Sequence, residues 1–310
     1  MHALSRTEAT SQRNLMQQTL TTGARRIAEH RALLVSLMLL VDSLHFVFAR
    51  LLLPYISPDI SALYVQAVGT LVFGAYALAS GQLNWQVFRR HFWFFLVIGA
   101  LIGISTNISY TAIAYIDPGT AAMLAKISTI FGLGFGLFWL NERFTQRQWI
   151  GAAVAIVGSF VIAFQPGSDL LRFGSALILV ATLMYASHTA IVKRFSAQID
   201  FVNFFFFRLF ATTAVLLVVA AGRGVLVWPH AGAWPIVVLT ALVDIIISRV
   251  LFYVALRRLQ MSMHTIFLTL GPVLTVLWSI PLFGVAPGPQ QLVGGLAVLA
   301  GVMLVSWPRR

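Results

Sequence analysis

The chain has 310 residues, of which 59% are hydrophobic and 10% charged, and its formal net charge is +12. This composition leaves too little polar surface for a water-soluble globule and indicates an integral membrane protein. The absence of cysteine excludes disulfides, thiolate metal sites and cysteine nucleophiles.

The first 30 residues are polar and contain four arginines. This lead is too long for a secretory signal peptide, and no small-residue cleavage site follows the first apolar run. We therefore expect residues 1–30 to form a retained, disordered cytoplasmic tail.

Ten apolar segments follow, each about 20 residues long and so long enough to cross a bilayer. They are predicted at 32–53, 61–79, 92–114, 119–140, 148–165, 173–193, 201–221, 234–256, 261–283 and 290–307. Turn residues separate them, at positions such as 117–119, 166–167 and 287–289. The predicted fold class is an all-α integral membrane protein with ten transmembrane helices.

The loop cations predict the orientation, because lysine and arginine next to spans stay cytoplasmic. Counting alternate loops, fifteen cations fall on one side, whereas Arg50, Arg172 and Arg223 fall on the other. This topology accounts for the positive charge better than nucleic-acid binding does, since the basic residues form no patch interleaved with aromatic residues. We predict a multi-pass protein of the cell (inner or plasma) membrane with both termini cytoplasmic.

The chain also matches itself without a gap at an offset of 143 residues. The coinciding pairs include Tyr110 with Tyr253, His45 with His188, Ser105 with Ser248, Gly151 with Gly294 and Gly158 with Gly301. We therefore predict two five-helix units, 31–167 and 168–310. Because five is odd, the second unit enters the membrane from the opposite side, and such inverted repeats permit alternating access around a central site. A duplicated scaffold or sensor without transport activity is the alternative.

Several motifs at matching places resemble the drug/metabolite transporter superfamily in its ten-span EamA-type form. They are SYTAIAYI at 109–116, NERFT at 141–145, QWIG at 148–151 and FYVALRRL at 252–259. The resemblance covers about residues 32–307 and implies a transporter of small organic metabolites, whose cavity is lined mainly by spans other than the fifth and tenth. The second copy departs from the pattern, with Val285 and Ala286 at the positions of Glu142 and Arg143.

Glu142 and Arg143 lie at a predicted cytoplasmic turn. There a carboxylate can cap the start of the next helix, and the arginine can anchor the turn among lipid headgroups. Substrate contact is the alternative for this pair. Gly151 and Gly158 share one helix face and are expected to let two helices approach closely.

Ionisable residues inside spans carry most of the functional information, because each is costly in hydrocarbon and normally faces a partner, a cavity or a pathway. Five are evident: Asp42, Lys126, Arg208, Asp244 and Arg249. All five are candidate substrate-binding residues, with Asn107 and Tyr110 adding hydrogen-bonding capacity.

Lys126 lies in the outer half of the fourth span, and the roughly seven residues between it and the start of that span, at ~1.5 Å each, place its ammonium about 10 Å below the outer surface. Its segment also resembles the fourth-span lysine segment of nucleotide-sugar transporters, where the lysine lies near the substrate phosphate, and the resemblance implies that Lys126 contacts the substrate. A structural ion pair with Asp42 or Asp244 is the alternative.

Arg208 and Arg249 suit bidentate recognition of a carboxylate or phosphate, although they could instead neutralise the two aspartates. Asp244 and Arg249 are five residues apart, about 140° around an α-helix, so we expect them to find partners on other spans rather than each other.

Asp42 and His45 are three residues apart, so an α-helix would bring them within reach of one proton. We predict proton coupling through Asp42, His45 and the repeat mate His188. The alternative is that Asp42 neutralises Lys126 or an arginine. His264 is expected at the interface, and the run 204–207 is expected to contact lipid or packing partners.

The sequence contains no phosphate-cradling glycine loop, paired-histidine metal motif or nucleophile elbow, so we expect no enzyme activity, cofactor or metal. We predict a secondary transporter that moves a small anionic or zwitterionic metabolite, with efflux driven by protons or exchange. The expected partners are the substrate, membrane lipid and protons, in a monomer or homodimer without nucleic acid. An exporter of cationic or aromatic compounds that uses Asp42 is the second hypothesis.

Overall fold

The computed structural model describes residues 31–52, 54–112, 125–164, 173–284 and 288–307. All regular secondary structure in these residues is helical. The helices are α1 (31–42), α2 (His45–Leu52), α3 (Pro58–Ala79), α4 (Trp85–Arg90), α5 (Phe92–Ala112), α6 (Ile127–Gly134), α7 (Gln146–Ala163), α8 (Phe173–Phe195), α9 (Phe201–Gly222), α10 (Trp234–Thr240), α11 (Arg249–Arg258), α12 (Met261–Phe267), α13 (Gly271–Phe283) and α14 (Pro289–Ser306). The predicted tail 1–30 and the turns at 117–119 and 166–167 lie outside the described residues.

The all-helical, membrane-spanning prediction is confirmed at the level of fold class. Seven described helical stretches are long and apolar enough to cross a bilayer. They are Ile60–Ala79, Phe92–Ser109, Phe173–Phe195, Phe201–Gly222, Ala231–Arg258, Met261–Leu282 and Pro289–Ser306, and a shorter apolar stretch covers Ile127–Trp139. Each of the ten predicted segments overlaps a helix in the described part of the chain.

The first predicted span is interrupted by a turn at Ser43 and Leu44, which separates α1 from α2. Ser43 is tied to α13 at this turn: the Trp278 indole donates to its hydroxyl over 3.0 Å, and Thr275 donates to its carbonyl over 3.1 Å. The Thr275 bond pairs a backbone carbonyl at the break in the helix, and the Trp278 bond holds the side chain of the same residue. Because the helix does not run through, Asp42 and His45 do not have the spacing that an α-helix would give them.

Two segments are π-helical, Phe135–Trp139 after α6 and Ala241–Ser248 between α10 and α11. In a π-helix the backbone bonds join residues five apart, and such segments are rare and frequently lie at functional sites. The second segment corrects the expectation that Asp244 and Arg249 point apart. With π-helical winding, residues five apart lie roughly above one another.

An aromatic core joins α3, α5, α9 and α11. The predicted run 204–207 is buried in it, with every ring at most 7% exposed, so these phenylalanines are packing residues rather than lipid contacts. The ring centres of Phe204 and Tyr253 lie 5.2 Å apart and those of Phe205 and Phe73 lie 4.7 Å apart, both with edge-to-face geometry. His264 is also buried, at 0% exposure against Phe252, so its side chain packs within the protein, and its expected depth at the membrane interface stays a prediction.

Glu142 caps a different helix from the one expected. The start of α7 is closed by a capping box of Thr145 and Gln148. The Glu142 carboxylate instead accepts from the backbone N–H groups of Met261 and Ser262, at the start of α12. Sequence position indicated a cap, but the helix that it caps follows from tertiary packing.

Helices α7 and α14 pack backbone to backbone through glycines. A Cβ on Gly158 would lie 2.8 Å from the Gly294 carbonyl oxygen, and one on Gly151 would lie 2.7 Å from that of Gly301. The predicted close approach at Gly151 and Gly158 is therefore present.

Thr70 of α3 and Thr213 of α9 share a side-chain hydrogen bond of 2.7 Å.

Gly158→Val should destabilise the protein by about 1–3 kcal/mol, because the added atoms have no space against the backbone of α14. The measurement is thermal or denaturant unfolding of detergent-purified protein. Gly134→Ala is the matched control, since a Cβ at Gly134 would meet nothing within 4 Å. Equal effects of the two substitutions would contradict this account of the α7–α14 contact.

Candidate functional site

The Arg249 guanidinium lies between two carboxylates. Its Nη1 is 3.2 Å from Asp42 Oδ1, and its Nη2 is 3.6 Å from Asp244 Oδ1. Asp42 ends α1, Asp244 lies in the π-helical segment and Arg249 begins α11. Sequence reasoning gave neutralisation of the aspartates as one alternative for Arg249, and this is the arrangement observed.

His45 binds the second aspartate rather than the first. Its Nδ1 lies 2.8 Å from Asp244 Oδ2, whereas Asp42 accepts from the Ser248 hydroxyl over 3.2 Å. The expected Asp42–His45 pair is thus replaced by two pairs, His45 with Asp244 and Asp42 with Ser248. Each pair links the first predicted span to the π-helical segment. The turn at Ser43 is the physical reason, because it changes the angular relation of the two side chains.

Exposure increases across this cluster. The Asp244 side chain is 5% exposed and that of Arg249 13%, whereas Asp42 reaches 23% and His45 46%. The cluster therefore has a closed side at Asp244 and an accessible side at His45.

Two tyrosines and a histidine flank the arginine. The Tyr185 hydroxyl accepts from Arg249 Nη1 at 3.5 Å, the outer limit of a hydrogen bond. The Tyr253 hydroxyl and His188 Nε2 lie 3.3 Å apart, with both residues at most 2% exposed. His188 is thus bonded to Tyr253 and lies beside the charged cluster rather than in contact with its aspartates.

Arg208 is buried at 4% exposure in the middle of α9, with its guanidinium carbon 5.2 Å from the centre of the Tyr253 ring. Its Nε and Nη1 have no hydrogen-bond partner among the described residues, and the same holds for Asp244 Oδ1. The 3.6 Å separation of Asp244 Oδ1 from Arg249 exceeds hydrogen-bond distance, so this ion pair leaves the oxygen unsatisfied. Buried polar atoms are normally bonded, and unsatisfied ones call for a specific explanation.

The remaining predicted site residues lie apart from these contacts. Lys126 precedes α6 and is half-buried, within electrostatic range of Asp42 but without a hydrogen bond or ion pair to any described residue. Asn107 accepts from Arg223, at the end of α9, over 3.2 Å. Tyr110 lies in α5, but its side chain is outside the described part of the structure.

Ser248 and Tyr185 were not predicted as site residues. Tyr185 stands at the repeat position of Asp42, and Ser248 at that of Ser105, so the internal repeat contained a signal for both. Within the described ranges, no three His, Asp or Glu residues are arranged to hold a metal ion.

Comparison with known proteins gives a family match over most of the chain. The profile of the EamA-like transporter family matches residues 31–164 and again residues 172–307. A relative from Streptantibioticus cattleyicolor, described as a "Probable terminal-alkyne amino-acid exporter", is 29% identical over 244 residues, which are 76% of this chain and 81% of the relative. An uncharacterized transporter of Bacillus subtilis, YdfC, is 25% identical over 60% of this chain and 62% of its own.

A solved crystal structure shares the fold. It superposes with a TM-score of 0.77 and covers 89% of this chain and 97% of its own, at 17% sequence identity. Two consecutive family matches, transporter relatives and the apolar helices agree, and the chain belongs to the EamA-like transporter family.

Proposed function

We propose that this membrane transporter moves a small anionic or zwitterionic metabolite by alternating access, through a central site formed by Asp42, Asp244, Arg249 and Arg208. Transport is secondary, coupled to protons or exchange, and directed outward. Ten spans in two inverted five-helix units form the scaffold.

The unsatisfied atoms around Asp244 and Arg208 carry this proposal. Arg208 offers two buried donors and Asp244 one buried acceptor, none of them bonded within the described residues. A ligand with a carboxylate and an ammonium group would satisfy both kinds of atom, and desolvated charge-assisted bonds of this type are strong. Arg249 is a weaker candidate for the acid group, because its guanidinium already faces two carboxylates.

The inverted repeat is supported by contacts between equivalent positions. Thr70 and Thr213 are separated by the repeat offset of 143 and bond to each other, as residues on a two-fold axis would. The glycine contacts are reciprocal as well: Gly151 meets Gly301 while Gly158 meets Gly294, an exchange typical of two-fold interfaces. Two similar halves that pack in this way can exchange which side is open.

Arg249 provides a further argument for a central site. Its Nη1 contacts both Asp42 and Tyr185, which occupy the same position in the two repeats. A group that touches two equivalent positions lies close to the axis that relates them. The substrate site of inverted-repeat transporters lies at this kind of interface.

For proton coupling, His45 and Asp244 now form the better candidate pair. They are 2.8 Å apart, and His45 is the most exposed member of the cluster. Histidine changes charge near neutral pH, and protonation of either partner would alter the balance of charges around Arg249. Outward transport is supported by the exporter among the relatives.

Arg208→Lys should weaken binding of a carboxylate-bearing ligand by at least about tenfold, because lysine keeps the charge but loses the planar fork of donors. The measurement is a thermal-shift titration with an amino acid, its decarboxylated amine and its deaminated acid. The amine should be unaffected by the substitution. Lys126→Ala is the comparison: a larger loss of carboxylate binding there would move the acid-binding role to Lys126.

Asp244→Asn should abolish substrate accumulation driven by a pH gradient while exchange of substrate without a gradient persists, because the proton site is lost and the ligand site is retained in part. Transport into proteoliposomes at matched and unmatched pH measures both activities. Asp42→Asn leaves the His45–Asp244 pair in place, so it should lower transport equally at matched and unmatched pH and keep the dependence on the gradient. Loss of all transport in Asp42→Asn with tolerance of Arg208→Lys would instead favour export of cationic or aromatic compounds.

A further inference from the structure

A lysine and a glutamate of opposite charge bind the short connection between α11 and α12 from two sides. On one side, Lys193 of α8 donates to the carbonyls of Leu256, Arg257 and Leu259 over 2.6, 3.3 and 2.5 Å. On the other side, the Glu142 carboxylate accepts from Met261 and Ser262 over 2.5 and 2.8 Å. The connection is thus held at both of the helix ends that it joins.

The charges match the helix ends that they contact. Carbonyls at the end of a helix carry partial negative charge, and N–H groups at the start carry partial positive charge. An ammonium therefore stabilises the end of α11, and a carboxylate stabilises the start of α12. Both groups also fulfil hydrogen bonds that helix ends cannot make internally.

Lys193 and Glu142 lie on other helices than the connection that they bind. Lys193 lies in the last turn of α8, and Glu142 follows the π-helical segment after α6. Helices α6 and α8 pack against each other. The contacts therefore join the helix pair α6 and α8 to the helix pair α11 and α12. The interface beneath them is closed, with Met261, Ser262 and His264 at most 1% exposed.

Local backbone features bring Glu142 to this position. Asn141 adopts a left-handed conformation, with φ of 54°, which ends the preceding helix and turns the chain toward α12. Gly136 allows the approach, since a Cβ there would lie 2.6 Å from Glu142 Oε2 and 2.0 Å from Ser262 Oγ. The repeat mate of Glu142 is Val285, which cannot accept these bonds, so the carboxylate half of the arrangement is not duplicated.

We propose that Glu142 and Lys193 form a charge latch that closes the transport pathway at this end and that must release in each cycle. The latch rests on the proposed alternating access, because only a pathway with two mouths requires one to be held shut. Glu142 and Lys193 are positioning residues, acting through α11 and α12 rather than on the substrate. Because the opposite end lacks the equivalent carboxylate, the latch biases the empty transporter toward closure at the Lys193 end.

The test is the reactivity of a single cysteine, which the cysteine-free chain makes simple to place. Thr265→Cys is the reporter, because Thr265 is 8% exposed and packs against Gly132 of α6, across the interface that release would open. Ser159→Cys in α7, at 1% exposure, reports general unfolding. Both proteins are reconstituted in lipid nanodiscs without substrate and labelled with a small maleimide.

Lys193→Met and Glu142→Gln should each raise the labelling rate at Thr265→Cys about tenfold or more, the factor by which losing one charge-assisted bond shifts a two-state equilibrium. Labelling at Ser159→Cys should stay constant. Arg194→Gln is the matched control, because the neighbouring Arg194 donates to the Trp139 carbonyl instead and should leave both rates unchanged.

An unchanged rate at Thr265→Cys in both latch variants would overturn the proposal, as would an equal rise at Ser159→Cys or in Arg194→Gln. The assay contains no substrate, so it separates the latch from the proposed function. A rise in labelling at Thr265→Cys in a protein that moves no solute would count against transport and would leave an interface held by charges with no pathway to close. Transport activity together with an unchanged labelling rate at Thr265→Cys would support the proposed function and overturn the latch.

Discussion

The packing of the central helices depends on one guanidinium shared by two carboxylates in a low-dielectric environment. Arg249 faces Asp42 from the first span and Asp244 from its own, and His45 completes the set. Buried charges are tolerated when they are paired, and removing one partner typically costs on the order of 3–5 kcal/mol because it strands the other charge. The pairing therefore fixes α1, α2 and α11 relative to one another, and any ligand must compete with or rearrange these bonds.

The two halves of the chain match the same family profile but differ in side-chain chemistry. Asp42 corresponds to Tyr185, and Glu142 corresponds to Val285. In the proposed inverted repeat, the shared backbone plan allows two similar conformations, whereas the differing side chains decide which conformation is lower in energy and where each end of an asymmetric ligand binds. The ion cluster and the capped connection between α11 and α12 are thus two places where the charged residues of one repeat are not matched in the other.

Hydropathy was sufficient to predict the helical segments, because burial in lipid requires long apolar runs with internally bonded backbone. The buried ionisable residues were also identifiable, since each stands alone in an apolar run. Their partners were not, because angular position was inferred from α-helical geometry while Asp244 lies in a π-helical segment and Asp42 precedes a turn. Likewise, Glu142 was recognisable as a capping residue, but its target lies more than one hundred residues away in the chain.

The ion cluster also has a consequence for synthesis of the protein. Asp244 and Arg249 emerge from the ribosome almost together, and the π-helical winding lets them neutralise each other within one span. Asp42 enters the membrane some two hundred residues earlier, before its arginine exists. An isolated carboxylate inside a span is costly in lipid, so insertion of the first predicted span depends on temporary partners, such as water, the translocon or a chaperone, until Arg249 arrives.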